Sequence, residues 1–365
     1  MVGASLDLSG REAWLGHEYL TGLELGIAAV NAGGGVPPHN SCFELMYKDD
    51  RASAAVDDQA MLDLVNVEKA GIVVGSYLGP SSAGYLGRLG VPAVSLSDLE
   101  DTSEPRGFPD TFPVTASMRS QAYEIAGALR RRKVTSVGLI LTADVASREG
   151  AAELEALSST GGFTITDRVS VAPSGNGAAS AVRAVRDSGP QALVVLDDTG
   201  AVAPVLVARA ALGWTAPVFA GTDTTGAGVL RELRGDDRAG VFAVVPTGAL
   251  AGSGPAASAT YSFRSKLQAR IGRSALEGSI IPYAETYDAM TMMGNAANGS
   301  MGVVASDVQS FLQNANYQGV LASYTYTAGA HTGVSAANQT VVPLASLSNG
   351  VLQAPAPMRR SGAGQ

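Results

Sequence analysis

Gly71-Ile72-Val73-Val74-Gly75-Ser76-Tyr77-Leu78-Gly79-Pro80-Ser81-Ser82 is the stretch whose reading decides the fold. The run Ile72-Val73-Val74 is β-branched throughout and bounded by Gly71 and Gly75. Such a run reads as a short strand buried on both faces, as in a parallel sheet. Gly75 to Gly79 turns the chain, Pro80 suits the first turn of a helix, and Ser81 and Ser82 bring hydroxyls to the same end. A strand that runs through a turn into a helix start aims free N–H groups above the sheet edge, where a small anion such as a carboxylate fits. Helix capping alone would also account for the two serines.

Outward from this unit the same alternation repeats. On the N-terminal side, Val2 to Leu6 reads as a clipped strand, Glu12 to Asn31 as a helix ending at Gly33-Gly34-Gly35, Phe43 to Tyr47 as a strand, and Ala52 to Lys69 as a helix. On the other side, Val91 to Ser95 is a strand whose exit, Leu96 to Glu104, is strongly acidic, and Phe112-Pro113-Val114 is extended. The pattern restarts at Ser117. Helices over 117–131, 147–158, 178–188 and 201–212 alternate with strands over 137–141, 163–168, 192–196 and 218–219, which predicts a second parallel sheet. A strand over 241–245 follows, then helices over 258–271, 282–297 and 306–314, and late strands over 321–326 and 341–344. Residues 353–365, rich in Pro, Gly and Arg, are expected to be a disordered tail.

A chain of 365 residues is too long for one small core, so two lobes are expected. Hydrophobic residues make up 46% and charged residues 16%, a balance that suits well-buried strands. The net charge of −8, with scattered basic residues, argues against nucleic acid as a partner. Arg greatly outnumbers Lys, and Ala and Gly are abundant, the bias of a GC-rich bacterial genome. Cys42 is the only cysteine and His17, His39 and His331 are far apart, so neither a disulfide nor a metal site is expected. No run approaches the roughly 18 apolar residues of a membrane helix. The first strand begins at once, so the protein is either cytosolic or begins after an export signal.

Motifs for familiar chemistries are missing. No G-x-x-x-x-G-K-[ST] loop occurs, Gly33-Gly34-Gly35 follows a helix rather than a strand, and Gly84, Gly87 and Gly90 read as close packing along a helix. There is no G-x-S-x-G elbow, and His17-Glu18 lacks the second histidine of a zinc site. No cofactor is expected. An enzyme built on some other constellation stays open.

The order of elements, together with Ser9-Gly10, Gly16, Asn31 to Gly34, Asp49-Asp50, Gly75 to Ser82, Val91 to Ser95, Val218 to Asp223, Tyr283 to Ala289 and Ala330 to Gly333, resembles the type I periplasmic solute-binding proteins of ABC importers, in particular the branched-chain amino acid and amide group. The resemblance runs to about Leu352. It implies two Rossmann-like α/β lobes joined by a three-crossover hinge near Thr115, Pro246 and Tyr326, with one lobe formed by 1–115 plus 247–325 and the other by 116–246 plus 326–352. It implies a monomer outside the cytoplasm, periplasmic or lipid-anchored, that captures a small-molecule ligand for an ABC permease and does no chemistry on it. A sensor of the same fold is the alternative.

The resemblance also implies a site. Ligand carboxylate or amide oxygens would meet Gly79, Ser81 and Ser82, in the turn that also carries Ser76 and Tyr77, and the next strand exit would add Ser97 and Asp98. Asp223 would take a ligand ammonium; capping the helix expected over 226–233 is its other reading. Trp14 would wall the cleft or pack under the first helix. Where branched-chain binders place tyrosines, this chain has Ser147 or its neighbours and Asp198-Thr199, so a simple leucine or valine site is not expected. Acids at Asp98, Asp198 and Asp223 in one cleft would favour a ligand with cationic or amide donors, unless Asp98, Glu100 and Asp101 form only a solvated loop.

Overall fold

The computed structural model describes residues 1–10, 12–76, 78–97, 108–197, 200–252, 257–272 and 276–353. Its first half alternates strand and helix: β1 (Val2–Leu6), α1 (Ala13–Ala32), β2 (Leu45–Asp49), α2 (Ala54–Asn66), β3 (Ile72–Gly75), α3 (Pro80–Leu89), β4 (Ala93–Ser95) and β5 (Thr111–Pro113). These strands form one five-stranded sheet in the order β2-β1-β3-β4-β5, parallel at every pairing. All four residues of β3 and all five of β1 are buried, as sheets covered by helices on both faces require.

The second half holds α4 (Met118–Arg131), β6 (Ser136–Thr142), α5 (Val145–Gly161), β7 (Thr164–Val171), α6 (Ala178–Asp187), β8 (Ala192–Leu196), α7 (Val202–Ala211), β9 (Val218–Ala220), α8 (Ala227–Glu232) and β10 (Val241–Pro246). Its sheet has six strands, ordered β13-β10-β9-β8-β6-β7. The sixth is β13 (Gln339–Pro343), and it runs antiparallel to β10. The expected second sheet is therefore parallel except at this edge, where the chain comes back from the other lobe instead of through a crossover helix.

Between β10 and β13 the chain returns to the first lobe as α9 (Ala257–Ile271), α10 (Ile281–Gly299) and α11 (Ala305–Asn314). It then forms a small hairpin of β11 (Asn316–Gln318) and β12 (Ser323–Thr325). The expected strand over 321–326 is thus three residues long, and its partner, the polar Asn316-Tyr317-Gln318, has no apolar run to announce it. The chain passes between the two sheets three times, and the three passages touch. The Tyr326 hydroxyl donates to Pro113 O (2.7 Å), Val334 N to Thr115 O (2.9 Å) and Gly248 N to Leu321 O (2.9 Å).

Helix α10 carries the first lobe's core against α1. A Cβ on Gly22 would lie 2.1 Å from Tyr283 O and from Thr286 Oγ1, so only glycine lets the two helices approach this closely. Near the middle of α10, Asp288 is fully buried and accepts from Val320 N (2.6 Å), Leu321 N (3.0 Å) and the Tyr324 hydroxyl (3.1 Å). Burial still lifts its carboxyl to about 7, against those three donors. Asp288 therefore ties α10 to the segment where the third passage begins.

The close-packing reading of Gly84, Gly87 and Gly90 does not hold. A Cβ at Gly84 or Gly87 would meet nothing nearer than 3.7 Å, and Gly90 is the left-handed residue that ends α3. The expected tail lies outside the described residues from 354 onward, as do Tyr77, Asp98, Glu100, Asp101, Asp198 and Thr199. No helix among the described residues is long and apolar enough to cross a membrane, and no group of three or more His, Cys, Asp or Glu among them could hold a metal ion.

Candidate functional site

Asp7, Ser76 and Ser97 lie just beyond the carboxyl ends of β1, β3 and β4, and a 3-10 turn, Thr222–Thr225, lies just beyond β9. All of these ends face one cavity of about 260 Å³ between the lobes. Thr115 and Ala116, in the first passage between the sheets, form part of its wall. So does the start of α10, through Ile281, Pro282 and Glu285. This is the crevice beyond the carboxyl ends of parallel strands where open α/β sheets bind ligands.

The Thr222–Thr225 turn is held from both sides. Buried Gln121 of α4 donates to Ala116 O (2.9 Å) and accepts from Thr222 N (2.8 Å). Thr225 Oγ1 donates to Thr222 O (2.8 Å) and lies 2.8 Å from Ser279 Oγ, just ahead of α10. Ser279 N donates to Thr225 O (2.9 Å). Asp223 sits in this turn, half-buried, on the cavity wall. The N-cap of α8 is Gly226, in extended conformation and with no side-chain cap, so the capping reading of Asp223 fails.

Trp14 also lines the cavity. Its indole reaches across to the other lobe, where a Cβ on either Gly226 or Gly228 would lie 2.3 Å from a ring atom. Trp14 is thus a wall of the cleft and a contact between lobes at once. Beneath it, the Tyr283 hydroxyl donates to Glu18 Oε1 (3.2 Å), and burial raises the Glu18 carboxyl to about 8. On the surface nearby, Arg231 of α8 pairs with Glu277 at 2.5 Å.

Of the residues anticipated for the site, Trp14, Ser76, Ser97 and Asp223 lie on the cavity wall. Tyr77, Asp98 and Asp198 fall outside the described residues. Gly79, Ser81, Ser82 and Ser147 are not among the lining residues. Gly79 is the N-cap of α3 and Ser81 is exposed, while the Ser82 hydroxyl donates to Asp58 of α2. Buried Ser147 belongs to the start of α5, where its N–H donates to Asp144 Oδ1 (2.7 Å) and its hydroxyl to Asp144 Oδ2 (2.8 Å).

The sequence reading did not single out Asp7, Glu12, Gln121, Glu232 or Glu285, all of which line the cavity. Asp7 accepts from Gly10 N (2.5 Å) and Glu12 N (2.8 Å), which fixes the entry to α1. Glu285 had a legible signal: a carboxyl on the buried face of α10, among Ile281, Ala284 and Ala289. Burial first, and then the neighbouring charges of Asp223 and Asp288, hold it well above the usual carboxylate range. The charged side chains described on the cavity wall are Asp7, Glu12, Asp223, Glu232 and Glu285, every one acidic.

Residues 1–345 match the family model described as periplasmic binding protein. The chain belongs to the periplasmic binding protein family. Solved structures agree on the type I fold. An extracellular ligand-binding receptor from Rhodopseudomonas palustris superposes on this binding protein with a TM-score of 0.82 at 13% identity, over 96% of this chain and 97% of the other. The branched-chain amino acid transporter substrate-binding protein LivJ from Streptococcus pneumoniae, in complex with isoleucine, gives 0.79 at 18% identity over 97% of both chains. An ABC transporter solute-binding protein from R. palustris, in complex with benzoate, gives 0.78 at 16% identity over 96% and 94%. At such identities the likeness concerns the fold alone. No curated protein sequence matches this one.

Proposed function

We propose that this binding protein captures a small amine-bearing solute in the interlobe cavity, outside the cytoplasm, and delivers it unchanged to the permease of an ABC importer. The observation that carries this reading is the cavity wall, whose described charged side chains are all carboxylic acids. A cation desolvated among carboxylates gains charge-assisted hydrogen bonds that a neutral or anionic solute cannot form. Asp223, at the turn after β9, is the assigned partner of the ammonium. Ser76 and Ser97, on the opposite strand ends, are assigned to a polar group at the solute's other end. In this reading the lobes are 1–115 with 247–325 and 116–246 with 326–352, the protein works as a monomer, and the three adjoining passages are the hinge on which the lobes close.

The affinity required is modest. Delivery to a permease needs a Kd of about 1 μM, or roughly 8 kcal/mol. Three or four charge-assisted hydrogen bonds at about 1.5–3 kcal/mol each cover this after ordering costs. The test is a thermal-shift screen, with native mass spectrometry on the hits, over amino acids, diamines, amides and aromatic acids. Amine-bearing solutes are expected to raise the melting temperature and leave unaltered in mass. Hits confined to amine-free acids such as benzoate would overturn the reading.

A further inference from the structure

Two carboxylates stand one turn apart on the buried face of α10, and their surroundings differ sharply. Asp288 accepts three hydrogen bonds and is part of the frame. Glu285 is 5% exposed and lines the cavity, and among the described residues its carboxyl makes no hydrogen bond or ion pair. A buried carboxyl left in that condition is costly unless something else satisfies it. Asp223, on the turn after β9 of the other lobe, lines the same cavity. Asp223 and Glu285 are close enough for the charge of one to disfavour ionisation of the other.

We propose that Glu285 is a specificity-determining residue, and that the cationic end of the solute is held between Glu285 of one lobe and Asp223 of the other. The proposal rests on the reading of the cavity as an amine site and narrows the substrate class. A cation bridging two carboxyls needs at least two N–H donors, so the site takes a primary ammonium or a guanidinium and discriminates against a quaternary ammonium, which has none. One cation placed between two lobes also ties recognition to closure, because an open cleft offers it only one carboxyl.

A proton accompanies the exchange. The titratable groups facing Glu285 are Asp223 from the turn, Asp288 on its own helix and Tyr324 from β12, with Tyr19 of α1 on the same cavity wall. None of these described groups is basic, and burial together with the two neighbouring carboxylates favours the protonated form of Glu285 in the empty cavity. When R–NH3⁺ enters, the Glu285 O–H bond breaks, the proton leaves to buffer, and the carboxylate accepts an N–H of the cation. Binding therefore releases a proton and tightens as pH rises toward neutrality, a readout that a purely structural carboxyl would not produce.

The experiment is calorimetric titration of the full chain at pH 7, in two buffers of different ionisation enthalpy, with L-lysine, 1,4-diaminobutane, agmatine and choline as probes. At least one primary ammonium or guanidinium probe is expected to bind with release of up to about one proton, and choline to bind at least about tenfold more weakly. Glu285→Gln, which keeps the shape, is expected to abolish the buffer dependence and weaken binding by about ten- to a hundredfold. Glu285→Asp is expected to retain proton release. Unchanged affinity and proton release in Glu285→Gln would overturn the proposal while leaving the amine reading standing, as would choline binding as tightly as the primary amines. Failure of every cationic probe to bind the wild-type protein would overturn the amine reading, and this proposal with it.

Discussion

Each lobe holds a short buried strand that runs through a polar turn into a helix. In the first lobe β3 leads through Ser76 and Gly79 to α3, and in the second β9 leads through Thr222–Thr225 to α8. Read locally, the first is the better anion site, with Pro80 in its first turn and two serines behind it. Their fates in the structure differ. Ser82 is spent on Asp58 of a helix in its own lobe, and among the described residues of the first turn only Ser76 reaches the cavity wall. The second turn places Thr222, Asp223, Thr225 and Gly226 there, because α1 brings Trp14 and α10 brings Pro282 and Glu285 across from the other lobe. A strand–turn–helix unit becomes a binding wall when the opposite lobe supplies a matching face, and local chemistry does not decide which unit that will be.

The widest gap between the two turns should open at Asp223. Asp223→Asn keeps the shape and removes the charge, and leaving a desolvated ammonium poorly paired costs about 2–5 kcal/mol, an affinity loss of about thirtyfold to beyond a thousandfold. The check is titration with the tightest amine found in the screen, with melting of the ligand-free forms as control. Equal affinity in the two proteins would return Asp223 to a structural role.

Next in size is the buried pair of Glu18 on α1 and Tyr283 on α10. The Glu18 carboxyl, raised from 4.5 to about 8 chiefly by burial, holds a proton in the folded protein that the unfolded chain gives up. A raised folded pKa means that stability is fully present below about 4.5 and is lost as pH climbs toward 8. The loss attributable to this group is about 3 kcal/mol by pH 7. Glu18→Gln should therefore melt with a smaller drop between pH 5 and pH 8 than the wild type. Parallel pH profiles for the two proteins would show that Glu18 titrates alike in both states.

Smaller again is the contact between lobes. A Cβ at Gly226 would meet the Trp14 indole at 2.3 Å, so Gly226→Ala must displace that ring from the cleft wall. Overpacking of this kind costs about 1–3 kcal/mol, and about tenfold weaker solute binding is expected by titration. An unaltered Kd would mean that Trp14 can shift without opening the cavity.

The smallest effect belongs to the first turn. Ser82→Ala removes the hydrogen bond to Asp58, so it should lower stability by about 1 kcal/mol in denaturant melts and leave solute affinity where it was. Ser81→Ala, at an exposed position, should change neither. A drop in affinity from either substitution would restore the helix start of α3 to the binding site and dissolve the contrast between the turns.

What the sequence determined by itself is what neighbouring residues can decide. Short β-branched runs such as Ile72 to Val74, alternating with helical periodicity, demand strands buried between helices, and the restart after Ser117 demands a second sheet. Asp223 was anticipated through the family resemblance, at the turn that follows the apolar Val218-Phe219-Ala220. The tertiary structure alone decided the rest. The polar Asn316–Gln318 becomes a strand only because Ser323–Thr325 folds back beside it, and β13 is antiparallel only because the chain re-enters from the other lobe. Glu285 belongs to a helix that packs on α1 of the first lobe, yet its cavity is completed by a turn of the second. Periodicity reports which face of an element is buried, through contacts within a few residues. Whether a buried face meets core or cleft depends on elements far away in the chain, and no local pattern carries that information.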